Sequence, residues 1–138
     1  MTLEENKGII RTQFGMIQRG DWNGLDNLHT ADFTNHAVGG IQVGLDTLKA
    51  ILRGIHESFP DEMTTIDDMI AEGDKVAVRA TLRGTHQGSG LPLFAGIIPE
   101  GKHVEWQFIH IFRLVDGKIA EHWAQRNDLA VRQQLLGQ

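Results

Sequence analysis

Two runs of alternating apolar and polar residues flank the dipeptide Asp116-Gly117, and they constrain the fold more than any other feature of the chain. An Asp-Gly dipeptide between two such runs is typical of a β-hairpin. The second run, Ile119–Asp128, leads directly into a short apolar helix, Leu129–Leu136. In the first run, His103–Arg113, the residues that share one face are Val104, Trp106, Phe108, His110 and Phe112.

The rest of the chain divides into a helical first half and a second half of strands. Apolar residues recur at helical spacing within Leu3–Arg19, and a second stripe runs from Leu45 to Ile55 before Phe59-Pro60 ends it. The other predicted elements are a short helix at Trp22–Leu28, strands at Ala31–His36, Met63–Ala71 and Lys75–His86, and a mobile, glycine-rich loop at Gln87–Gly101.

Helices followed by a long meander of strands predict an α+β fold in which helices pack on one face of an antiparallel sheet. If the sheet curls, it forms a cone that the N-terminal helices close, and the open end of the cone becomes a pocket. A length of 138 residues is typical of one domain, so we treat residues 1–138 as a single unit.

Composition and missing motifs exclude several classes of function. The net charge of −5 argues against nucleic acid and anionic membrane surfaces as partners, and no apolar run approaches the roughly 20 residues of a membrane span. The chain has no cysteine, which suits the cytoplasm and leaves no thiol nucleophile. We find no metal-binding spacing and no nucleotide-binding loop, so we predict neither a metal nor a cofactor.

Asp128 lies where the last predicted strand meets the last helix, and the sequence allows two interpretations of it. As a helix N-cap it would accept hydrogen bonds from backbone amides, which makes a carboxylate a poor base. As a general base it would face the pocket, and Asn127 could cap the helix alone. Val131 at the third helical position means that the partner of a capping box is missing.

His110 shares the face that carries Trp106 and Phe108, so it is either a core histidine bonded to backbone or a group that donates a hydrogen bond to a substrate oxygen. His36 and His122 lie on other predicted strands and could converge on it. Aromatic rings, including Trp123, could form walls for a flat ligand. On the opposite face, Ile109 and Ile111 predict an apolar strip at which two sheets join in a homodimer.

Several segments together resemble the SnoaL-like polyketide cyclases of the nuclear transport factor 2-like superfamily. The resemblance rests on Gly84-Thr-His86, on Val104–Arg113, on Asp116-Gly-Lys-Ile-Ala-Glu-His-Trp123 with the downstream Asp128, and on Gln134-Leu-Leu-Gly137. It spans nearly the whole chain. Where the family loop often reads Pro-Pro-Thr-Gly-Lys, this chain has Ile98-Pro-Glu-Gly-Lys102.

The resemblance implies a cone-shaped α+β roll with a buried cavity, no cofactor, and an acidic residue near the end of the last strand as general acid and base, the place that Asp128 occupies. It implies an intramolecular aldol condensation on a small hydrophobic or polycarbonyl molecule. A dehydratase, a ketosteroid-type isomerase and a non-catalytic binder of hydrophobic metabolites remain the alternatives. The predicted catalytic residues are Asp128 and His110, and the predicted substrate-binding residues are His36, Trp106, Phe108, His122 and Trp123.

Overall fold

The computed structural model describes residues 1–37 and 39–137. Within them the chain forms helices α1 to α3 and strands β1 to β6, and two short 3-10 turns, Gly24–Asn27 and Pro92–Phe94, lie in the connections. The elements in chain order are α1 Leu3–Arg19, β1 His29–His36, β2 Gln42–Val43, α2 Leu45–Ser58, β3 Met63–Glu72, β4 Lys75–Thr85, β5 His103–Val115, β6 Lys118–Arg126 and α3 Asp128–Leu136.

The strands form a curved sheet in the order β2-β1-β6-β5-β4-β3. The pairs from β3 to β6 are antiparallel, as the meander predicts, whereas β1 lies parallel to β6. Register shifts interrupt β3 near Asp67 and the β5–β6 pair near Leu114, and such bulges strengthen the bend of a sheet. The α+β fold is confirmed, and the parallel pair makes the sheet mixed.

The hairpin at Asp116-Gly117 forms as predicted. Both residues have positive φ, 48° and 79°, which is the conformation of a two-residue type I′ turn. The even-numbered residues of β5 face inward, and Trp106 and Phe112 are buried, while Ile109 is 51% exposed on the outer face. A slip by one residue would exchange the two faces, so the turn and the neighbouring bulge near Leu114 together fix which side chains can reach the cavity.

The apolar interior consists of two clusters, one at each end of the curved sheet. The first contains Phe59, Phe94 and Trp106, together with Val131 and Leu135 of α3. The second joins α1, α2 and the sheet at the other end through Ile10, Phe33, Leu48, Val76, Val78, Phe112 and Ile119. Among the described residues, no helix is long and apolar enough to cross a membrane.

The glycine-rich segment at 87–101 differs from the mobile loop that its composition predicts. Its apolar residues Leu91, Phe94 and Ile97 are buried in the first cluster. Its backbone also binds α2, because Gln87 N donates to the carbonyl of Ser58 at 2.8 Å and Gly90 N donates to Ser58 Oγ at 3.0 Å. The glycines therefore allow close packing.

Replacing Gly54 with alanine tests this packing. A Cβ at Gly54 would lie 2.4 Å from the carbonyl oxygen of Gly90, so we expect a loss of roughly 1–3 kcal/mol in the free energy of unfolding. Gly8→Ala in α1 is the matched control, because its Cβ would meet nothing within 4 Å and should stabilise the protein by roughly 0.5–1 kcal/mol. Urea unfolding measures both variants, and a Gly54→Ala protein as stable as the parent would contradict the packing.

Candidate active site

A cavity of about 470 Å³, the main chamber, lies between α2 and the concave face of the sheet. Helix α2 and the segment at 87–101 supply apolar walls, among them Ile51, Ile55 and Leu93. The sheet and the start of α3 supply the polar groups, which are Asn35, His36, His110, His122, Arg126 and Asp128. One apolar and one polar side are typical of a site that orients an apolar ligand.

A smaller inner chamber, of about 80 Å³, adjoins the main chamber and shares Phe108, His110 and His122 with it. Its other lining residues come mainly from α1, α2 and β4, and two buried polar groups, Gln13 and Glu62, lie at its edge. Phe108 and His122 thus line the cavity as expected for substrate-binding positions. Within the described residues, no group of three or more His, Asp or Glu side chains could hold a metal ion.

Asp128 begins α3 but does not cap it. The N-cap is Asn127, whose Oδ1 accepts a hydrogen bond from Ala130 N at 3.2 Å. The Asp128 carboxylate instead accepts one bond from Trp106 Nε1 at 3.0 Å and another from Arg126 Nη2 at 2.9 Å. Its side chain is 24% exposed, so the carboxylate is partly shielded and still lines the main chamber.

Trp106 has a different place from the cavity wall that its sequence position predicts. It is fully buried in the first cluster against Phe59 and Phe94, and it lines neither chamber. The reason is that α3 and the segment at 87–101 cover this end of the sheet. Its indole N–H binds Asp128, and the Arg126 guanidinium lies 5.4 Å from its ring centroid.

Three polar residues on neighbouring strands form a hydrogen-bonded row on the concave face. Asn35 Oδ1 lies 2.5 Å from His122 Nδ1, and His122 Nε2 lies 2.8 Å from His110 Nδ1. Burial lowers the pKa of His110 to about 4. Burial also holds the pKa of His122 well below its ordinary value, and a positive charge on His110 would lower it further. Both rings are therefore neutral near pH 7.

His36 and Trp123 stack on each other at the rim of the cavity, with ring centroids 4.9 Å apart and planes 3° apart. His36 lines the main chamber and also binds the Glu121 carboxylate at 2.6 Å. Trp123 lines neither chamber, because it pairs with Ile111 on the outer face of the sheet. Phe108 supplies the aromatic wall of the main chamber, and Trp123 lines an adjoining pocket of about 290 Å³ together with His36, Arg126 and Asp128.

Sequence reasoning missed Arg126, Asn35 and Glu62. Strand alternation could have found Arg126, because it shares the parity of His122 on β6. The same argument places Asn35 on the same face of β1 as the buried Phe33. Glu62 carries no such signal, since it lies in the connection before β3.

Glu62 provides a test of the electrostatics of the inner chamber. Burial raises its pKa to about 7, and the nearby His56 imidazole, 3.5 Å away, opposes this shift. The pKa of the Glu62 carboxyl is thus higher in the folded protein than in the unfolded chain. The stability that the protonated carboxyl contributes is complete below the unfolded pKa, and it is lost as pH rises through 7. We therefore expect Glu62→Gln to raise the melting temperature relative to the parent more at about pH 8 than at about pH 5.

The control for this measurement is Glu100→Gln, because Glu100 is exposed. Its effect on melting temperature should be small and similar at both pH values. Equal shifts for Glu62→Gln at the two pH values would contradict a buried carboxyl that titrates near neutrality.

Comparison with known proteins identifies the family. The sequence profile of the SnoaL-like polyketide cyclases matches residues 9–135, whereas a search of curated proteins found no match. AclR from Streptomyces galilaeus, named as a candidate hydroxylase, has a similar structure: the TM-score is 0.87 and the identity 28%, over 99% of this chain and 84% of that chain.

Two further structures are named as candidate polyketide cyclases. IdmH from Streptomyces antibioticus has a TM-score of 0.83 at 26% identity, over 96% of this chain and 99% of that one. A SnoaL-like protein from Jannaschia sp. CCS1 has a TM-score of 0.83 at 25% identity, over 96% of this chain and 92% of that one. Because the family profile matches most of the length of the chain, the chain belongs to the SnoaL-like polyketide cyclase family.

Proposed function

We propose that the protein catalyses a cofactor-independent intramolecular aldol cyclisation of a polycarbonyl ester. The observation that carries the proposal is the Asp128 carboxylate, which two donors hold at the polar side of an apolar-walled chamber. The family supports the class of reaction. A volume of about 470 Å³ accommodates a molecule of a few fused rings.

In the first step, Asp128 removes a proton from a carbon that lies between two carbonyl groups. The electron pair of the C–H bond moves onto a carbonyl oxygen and forms an enolate. Such carbon acids are already fairly acidic, so a positioned carboxylate is an adequate base. The enolate carbon then attacks a second carbonyl of the same molecule, a C–C bond forms, and the new alkoxide takes the proton back from Asp128. Product and substrate therefore have the same mass.

Arg126 is the group that we propose for stabilising the enolate. One guanidinium nitrogen, Nη2, is bound to Asp128, and the side chain lines the main chamber. Its Nε is buried and has no hydrogen-bond partner among the described residues. A fixed cation beside the base favours negative charge on the substrate, which is the charge that develops in the transition state.

The apolar walls contribute by folding the substrate. Ile51, Ile55 and Leu93 face the polar side of the chamber, and among the described lining residues of α2 and the segment at 87–101 no polar side chain competes for the carbonyls. Holding two reacting carbons of one molecule in contact lowers the barrier by several kcal/mol. A dehydratase or an isomerase would use the same base, but a dehydratase product is lighter by one water, and a pure binder returns its ligand unchanged.

Asp128→Asn is the variant that tests the base. Since Asn127 caps α3, we expect a melting temperature close to that of the parent and a turnover lower by roughly two to four orders of magnitude. The probe is an aromatic β-keto ester with an adjacent aldehyde, and the product of unchanged mass is followed by chromatography and mass spectrometry.

Asn127→Ala is the matched control for this experiment. It removes the cap and should cost about 1 kcal/mol of stability while turnover at low temperature stays near that of the parent. Full turnover by Asp128→Asn would end the case for Asp128 as the base.

We also propose that the protein is a homodimer joined through the outer face of the sheet. One row across four strands is apolar, because Ile70 pairs with Ala77, Ala77 with Ile111, and Ile111 with Trp123. Ile70 is 67% exposed and Ile111 is 40% exposed in the single chain. A second copy of the chain would cover this row. Large exposed apolar patches usually mark a surface that binds a partner.

Ile111→Glu tests the dimer. A charge at the centre of the row should shift sedimentation at micromolar concentration from the dimer to the single chain, because its burial against a second copy is costly. Ile98→Glu is the control, since Ile98 is 78% exposed and lies outside the row. A parent protein that sediments as a single chain would contradict the proposal.

A further inference from the structure

We infer that His110 presents an unprotonated Nε2 to the cavity, and that the ligand occupying the site binds this atom through an O–H donor, such as a phenol or an enol. The inference rests on the proposed function only for the name of the substrate class. Under this inference His110 is a hydrogen-bond acceptor, in place of the donor role that the sequence predicts.

The hydrogen positions follow from the acceptor at the end of the row. The Asn35 amide is oriented with its oxygen toward His122, and with this oxygen as the acceptor, His122 Nδ1 carries a hydrogen and donates it. A neutral imidazole has one N–H group, which leaves His122 Nε2 as an acceptor. His110 Nδ1, 2.8 Å away, must then be the donor. The single hydrogen of neutral His110 is thereby used, and its Nε2 keeps a lone pair.

The neutrality on which this argument depends has a structural cause. Aromatic rings enclose His110: Phe108 and Phe112 stack against it, with centroids 5.4 and 5.7 Å away, and Phe14 meets it edge-on at 5.6 Å. His122 is the other ring in contact with it. No carboxylate binds His110 among the described residues, so nothing there compensates a positive charge on the ring.

The same rings fix the direction of the imidazole. With its faces covered and Nδ1 bound to His122, the ring cannot turn without losing a buried hydrogen bond. The Nε2 atoms of His29 and His86 are buried without a partner. His110 differs from them because it lines both chambers.

A bare nitrogen in this place discriminates between ligands by hydrogen-bond type. It repels the lone pairs of a carbonyl or ether oxygen and accepts a hydrogen bond from a hydroxyl group. On the same wall, Arg126 offers donors, which suit a carbonyl or an enolate oxygen. The two residues together select a molecule that carries a hydroxyl at one end and a carbonyl at the other. Asn35 acts through His122 and is a positioning residue.

The first test is the nitrogen spectrum of the protein labelled with 15N-histidine, near neutral pH, with His110 assigned by the signals missing from His110→Phe. We expect His110 to show a protonated Nδ1 and an unprotonated Nε2. Asn35→Leu removes the acceptor, so both rings should move their hydrogen to Nε2, the form that imidazole prefers in water. Asn35→Gln keeps a neutral amide acceptor and should keep the parent spectrum.

The second test compares two ligands of similar size, 1-naphthol as a donor and 1-tetralone as an acceptor. The parent protein should bind 1-naphthol about 10-fold or more tightly than 1-tetralone. The reason is that 1-tetralone has no hydroxyl group and leaves His110 Nε2 without a hydrogen-bond donor. Asn35→Leu should lose this preference and Asn35→Gln should retain it. A hydrogen on His110 Nε2 in the parent, or a preference unchanged by Asn35→Leu, would overturn the inference.

Neither test requires turnover, so the outcomes separate the two proposals. If the spectrum and the preference are as expected and Asp128→Asn has full turnover, the proposed reaction fails and the His110 assignment stands. If the Asp128 experiment succeeds while His110 carries its hydrogen on Nε2, only the present inference fails.

Discussion

The indole N–H of Trp106 and the carboxylate of Asp128 hold each other in place, and the arrangement of the site depends on this bond. Trp106 is fully buried, so its N–H needs an acceptor, and the aliphatic and aromatic side chains of the first cluster cannot supply one. Asp128 supplies it from the first residue of α3. The bond draws the carboxylate away from the helix amides, and Asn127 caps the helix in its place. The carboxylate at the start of α3 therefore lines the main chamber, which is the position that the proposed base requires.

The curved sheet separates two roles by strand parity. The concave face carries even-numbered residues of β5 and β6, among them His110, His122 and Arg126. Residues of the other parity build the outer face, which carries Ile111 and Trp123. The turn at Asp116-Gly117 and the bulge near Leu114 together fix the relative register of the two strands, so a polar site and an apolar outer row can share the same hairpin.

Sequence reasoning could predict what depends on local periodicity. The bounds of α1 were predicted residue for residue, and the hairpin and the inward face of β5 followed from alternation and turn chemistry. The parallel pairing of β1 with β6 could not be predicted, because it joins segments that are remote in the chain. The close packing of the segment at 87–101 also escaped prediction, since a run of glycines gives the same pattern in a mobile loop and at a tight contact.

The lining of the candidate site was predicted in part for the same reason. Asp128, His110, Phe108 and His122 follow from parity and from the strand-to-helix junction. The place of Trp106 depends on which elements cover its end of the sheet, and that is a property of the whole fold. The hydrogen-bonded row from Asn35 to His110 crosses three strands, so no local pattern in the sequence reveals it.

Hydrogen exchange at a carbon acid tests the central claim, that Asp128 is positioned to remove a proton from a substrate carbon. The measurement follows, by nuclear magnetic resonance in D2O, the loss of the C–H signal between the two carbonyls of an aromatic β-keto ester that cannot cyclise. The account predicts that the protein accelerates this exchange above the buffer rate and that the acceleration depends on the Asp128 carboxylate. An exchange rate equal to that of buffer, with the ester shown to occupy the cavity, would contradict it.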